Sequence, residues 1–125
     1  MKECLVAVAS GTYTFGFDEL IRSAGLRWTD SRFIPASGDW MNSTYGHLQL
    51  HDAETGRADV IAGLLAGGKG IGLEGEPERV AEFIAWLASR DQFPDDGSVV
   101  LAEWAHEFIP LRPGTTAAEL LAQMA

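Results

Sequence analysis

The sequence predicts a single α+β (mixed α/β) domain over residues 1–125, a two-layer fold in which about 3–4 helices pack mainly on one face of a mixed sheet of about 4–6 strands. Three observations carry that expectation. Residues 3–9, "ECLVAVA", form an apolar run rich in Val and Ala, as a buried strand requires. Residues 47–52, "HLQLHD", alternate polar and apolar side chains with the period of a half-exposed strand. Within residues 77–90, Val80, Phe83, Ile84 and Leu87 recur at i, i+3, i+4 and i+7, the spacing of one helix face. At 125 residues and 46% hydrophobic content, the chain can bury one core but not two.

The elements follow in order. After the first strand, "FGFDELIRSAG" sets Phe17, Leu20, Ile21 and Ala24 at helical spacing behind Asp18 and Glu19, with Gly25 expected as the C-terminal cap. "LRWTDSRFIPA" is expected to hold a strand ending near Pro35, because the residue before a proline favours extended backbone. "SGDWMNSTYG" is a loop by composition. Beyond the alternating strand and the turn "DAETG", residues 57–66 are expected to be helical. Val60, Ile61, Leu64 and Leu65 have helical spacing and Gly67–Gly68 would stop a helix, although a second hairpin strand also satisfies the pattern. "GIGL" then reads as a strand. In the helix at 77–90, Pro77 suits the first turn, Glu76 and Glu78 lie at the positive end of the dipole and Arg90 at the negative end. Trp86 falls outside its apolar stripe. "FPDDGS" is a loop, "VVLAEW" a strand and "EFIPLRPG" a short extended piece. Thr116 with Glu119 three residues on makes a capping box for a last helix.

Charge is the strongest functional signal. The formal net charge is -9, and residues 70–107 hold nine acids against two bases. Such a field repels nucleic acid and anionic membrane and favours a basic protein partner. No apolar run approaches the roughly 20 residues needed to span a bilayer. "CLVAVAS" is too short for a signal-peptide core and follows Glu3. The lone cysteine, Cys4, permits no internal disulfide and fits a reducing compartment, so a soluble cytoplasmic protein is expected.

The segment "GGKGIGLEG", Gly67 to Gly75, satisfies G-x-G-x-x-G and nearly satisfies a P-loop. Neither pattern survives its context. Glu74, Glu76 and Glu78 would surround a phosphate with carboxylates, Pro77 removes an amide that should bind it, and Gly70 replaces the hydroxyl a P-loop needs. The expectation is a turn at Gly67–Gly68, then a strand whose Gly70 and Gly72 approach another backbone closely. No cofactor is expected. His47 and His51 lie about 13 Å apart on a strand, too far to share one metal ion. Glu103, His106 and Glu107 would need partners from other helices. Ser37, Ser43 and Ser89 lack a nucleophile-elbow pattern, and Cys4 sits in an apolar strand, so no catalytic set is marked.

Two function classes follow. In the first, the protein is a small acidic binding module that neutralises or escorts a basic protein, as inhibitors and immunity proteins do. Its contact residues are expected to be Glu74, Glu76, Glu82, Trp86, Asp95, Asp96 and Glu103, joined by the loop residues Trp40, Met41 and Tyr45. That loop mixes large anchors with small polar neighbours, as interfaces do. In the second, a small enzyme or ligand-binding protein builds a pocket from Trp40, His47, His51 and Glu103. The sequence leaves the oligomeric state open.

Overall fold

A computed structural model of the chain describes residues 2–38, 44–51, 58–102 and 108–124. The elements are β1 (Lys2–Val8), α1 (Phe17–Arg27), β2 (Ser31–Pro35), β3 (Thr44–His51), β4 (Ala58–Leu65), β5 (Gly70–Gly75), α2 (Pro77–Ala88), β6 (Val99–Ala102), β7 (Ile109–Pro110) and α3 (Ala117–Met124). The seven strands form one sheet in the order β2-β3-β4-β5-β1-β6-β7. Every ladder in it is antiparallel.

The α+β class holds, but the sheet is neither mixed nor limited to six strands, and residues 58–65 are a strand instead of a helix. One change produces all three differences. The segment "ADVIAGLL" is apolar on both alternations, so it fits either period. β-branched Val60 and Ile61 suit a pleated surface, and pairing on both sides, to β3 and β5, decides the outcome. With a strand at this position, β3, β4 and β5 are joined by hairpins instead of a helical crossover, and hairpins force antiparallel pairing. Gly67 and Gly68, at φ 89° and 72°, form the β4–β5 turn. The Gly68 carbonyl accepts from the Phe15 amide at 2.7 Å, and the Lys69 ammonium donates to the Tyr13 carbonyl at 2.8 Å. The glycine segment is therefore a hairpin turn and a strand, with its lysine engaged by the chain itself.

Alternation divides the sheet into two faces. Cys4, Val6, Ala62, Leu64, Ile71 and Leu73 are buried on one face, where α2 reaches β1, β4 and β5. Val80, Phe83, Ile84 and Leu87 of α2 are fully buried against it, so the expected stripe is the core contact. Leu20 and Ala24 of α1 and Leu120 of α3 join the same cluster. Helix α1 runs past Gly25 to Arg27. The Trp28 amide closes its last turn onto the Ala24 carbonyl at 2.8 Å, and the Trp28 ring packs 5.7 Å from Phe83 and 5.1 Å from Trp86. Those contacts outweigh the roughly 1 kcal/mol by which glycine disfavours a helix interior. Half of the expected capping box forms: the Glu119 amide donates to the Thr116 hydroxyl at 3.2 Å, while the Glu119 carboxylate accepts at 3.1 Å from that same hydroxyl instead of from the Thr116 amide.

The close backbone approach expected at Gly70 and Gly72 occurs at Gly75 instead. A Cβ there would lie 2.1 Å from the Asp59 carbonyl oxygen, whereas at Gly72 it would meet nothing nearer than 4.0 Å. Gly75→Ala must force β4 and β5 apart, and urea unfolding should show a loss of about 1 to 3 kcal/mol.

Candidate functional site: the helix-free face of the sheet

The other face of the sheet carries no helix among the described residues. Its side chains follow from the ladder registers. One cross-strand row runs His47, Gly63, Gly72, Leu5 and Ala102; the next runs Gln49, Ile61, Glu74 and Glu3. Where the two glycines meet there is no side chain, and the neighbouring residues wall a groove of about 620 Å³. Leu5 and His47 flank the glycine floor. Ile61, Glu74 and Glu3 stand at one end of it.

Glu3 and Glu74 are direct partners across β1 and β5, which sets their Cβ atoms about 5 Å apart. Both are exposed, and neither has an ion-pair partner among the described residues. Like charges directly opposite one another oppose sheet formation. Glu74 was expected at a contact site; Glu3 was not, because it lies 71 residues away in the chain and only the β1–β5 pairing brings it near.

The other expected contact residues do not gather here. Glu76 is exposed at the start of α2, and Glu82 pairs with Arg79 at 3.2 Å on the helix layer. Trp86 is half-buried against Trp28 and Phe83, with the Arg90 guanidinium 5.2 Å from its ring. Asp95 and Asp96 occupy the loop between α2 and β6. Tyr45 lies on the helix side, although two residues before His47, because the β3 register shifts between Thr44 and Gly46. Its phenol donates to the Asp18 carboxylate of α1, which raises the phenol's pKa, and its ring packs 5.5 Å from Phe17. Trp40, Met41 and Glu103 lie outside the described residues.

His47 and His51 are also separated. A second shift at Leu50–His51 directs His51 to a polar cleft of about 440 Å³ beside Asp59, Arg79 and Glu82, where its Nδ1 donates to the Asp30 carbonyl at 2.9 Å. His47 lines the open-face groove instead. Among the described residues, no three His, Cys, Asp or Glu side chains converge as metal ligands, and no helix is long and apolar enough to cross a membrane.

No protein-family model, curated protein or solved structure matches this chain, so its functional reading rests on the site geometry.

Asp96 has a local structural role. Hydrogen bonding from the Ser98 hydroxyl, and then from the Ser98 amide at 3.0 Å, holds its carboxyl below the ordinary value of 3.8. A lowered folded-state pKa means that the pair's stabilisation is present above the unfolded value and is lost as pH falls through the folded one. NMR titration should place the Asp96 midpoint below 3.8, and Ser98→Ala, which keeps the amide, should move it part of the way back.

Proposed function

We propose that the protein is a small acidic binding module for a basic protein, and that it meets this partner through the helix-free face of its sheet. One observation carries the reading: an apolar groove, on a sheet face that carries no helix among the described residues, ends in two facing carboxylates, Glu3 and Glu74, that have no counter-ion among those residues. A basic partner would relieve their repulsion while its apolar surface covers Leu5 and Ile61. The formal charge of -9 would draw such a partner in over long range, speeding association at low ionic strength. Tight control of a basic protein, as an inhibitor or escort, fits this chemistry.

The test is capture from the native host by the immobilised chain at low and high salt, with the double reversal Glu3→Lys and Glu74→Lys alongside. The expected result is one basic protein, released by salt and bound roughly tenfold or more weakly by the double variant. Capture that is indifferent to both salt and the reversal, or a partner that is itself acidic, would overturn the reading.

A further inference from the structure

Two of the glycines on the open face, Gly63 and Gly72, are not required by the local packing of the strands. At Gly75 the fold demands glycine, since a Cβ would collide with the β4 backbone. At Gly63 an added Cβ would meet nothing nearer than the Gly72 carbonyl at 3.7 Å and the His47 ring at 3.9 Å. At Gly72 the nearest atom is the Gly63 carbonyl at 4.0 Å. Those are ordinary contact distances, and neither residue has a positive φ. Glycine inside a strand sacrifices conformational entropy and side-chain packing, and a β-branched residue at either position would suit the strand better. Two such residues directly paired across β4 and β5, in the middle of a seven-stranded sheet, leave a trough where folding alone favours side chains.

We infer that the Gly63–Gly72 trough is a specificity subsite that receives an arginine or lysine side chain from an extended basic segment of the partner. This inference rests on the proposed binding function and names the occupant of its groove. The aliphatic stem lies on the glycine floor between Leu5 and His47. Two residues along β5 from Gly72, about 7 Å, stands Glu74 with Glu3 beside it, so the cationic head reaches both carboxylates while the stem stays on apolar surface. A guanidinium can bridge two carboxylates through its fork of donors.

The test uses the full chain, ¹⁵N-labelled, with three capped five-residue probes built on glycine: one with two arginines, one with two citrullines, which keep the stem and lose the charge, and one with two glutamates. The arginine probe is expected to shift the amides of Gly63, Gly72 and Glu74, with the citrulline probe much weaker and the glutamate probe silent. Gly63→Val and Gly72→Val should each raise the thermal midpoint by a few degrees yet weaken arginine-probe binding by roughly tenfold or more. If the arginine probe binds elsewhere and the valine variants bind it normally, the trough inference falls and the basic-partner reading stands. Equal binding of the arginine and citrulline probes would sink the basic-partner reading and leave an apolar groove. Absence of arginine-probe binding, or a loss of stability in the valine variants, which would mean that the chain itself fills the trough, overturns the inference. So does a native dimer by sedimentation that Gly72→Val dissolves.

Discussion

The whole structure depends on the apolar stripe of α2, because this helix packs across β4, β5 and β1 in the middle of the sheet. Its four residues Val80, Phe83, Ile84 and Leu87 are completely withdrawn from water, each contributing about 1.5 to 3 kcal/mol of burial. Helix α1 lies beside β2 and α3 lies against α2, so the helices spread along one side of the sheet. Seven strands at about 4.8 Å spacing make a sheet nearly 30 Å wide. Covering one face of it occupies the helices that the described residues supply, and among those residues no helix reaches the opposite face.

Much of this fold was legible because local chemistry and tertiary packing agree. The stripe of α2, the alternation of β3 from His47 to Leu50 and the Thr116 cap of the last helix each state one answer, and each forms. Residues 58–65 state two. Val60, Ile61, Leu64 and Leu65 satisfy a helix period, while Val60, Ala62 and Leu64 satisfy a strand period, and only the partners on either side choose between them. That choice then sets the direction of every neighbouring strand, so one local ambiguity became an error about the whole sheet. Gly25 shows the same limit on a smaller scale. Its intrinsic preference would end α1, but the Trp28 ring, wedged against Phe83 and Trp86, carries the helix two residues further.

The candidate site was less legible because it is made by pairing between strands distant in the chain. A window of acidity pointed to residues 70–107, yet the fold distributes that window over both layers: Glu74 faces the groove, Glu82 pairs with Arg79, and Asp96 holds Ser98. Glu3 comes from the other end of the chain, and no charge count near Glu74 would find it. The shifts in β3 also break the simple alternation that would have put Tyr45, His47 and His51 on one face. Of the pocket expected from Trp40, His47, His51 and Glu103, the two histidines therefore face different sides of the sheet, and the other two lie outside the described residues.

The segment "GIGLEG" contains the decisive contrast. Its last glycine is demanded by the backbone of β4, its middle glycine by nothing within the described fold, and the glutamate between them faces another glutamate across the β1–β5 ladder. Residues that hold a sheet together tend to be β-branched and oppositely charged across strands; at the Gly63–Gly72 and Glu3–Glu74 pairs of this face they are absent or of like sign. Sequences selected for folding alone remove such conflicts, and those that retain them do so where another constraint acts. The hidden face settles its apolar side chains in the core. The open face goes against two local preferences, side by side on neighbouring rungs. The proposed basic partner would answer both, bringing bulk to a trough that no described side chain fills and positive charge to the carboxylate pair.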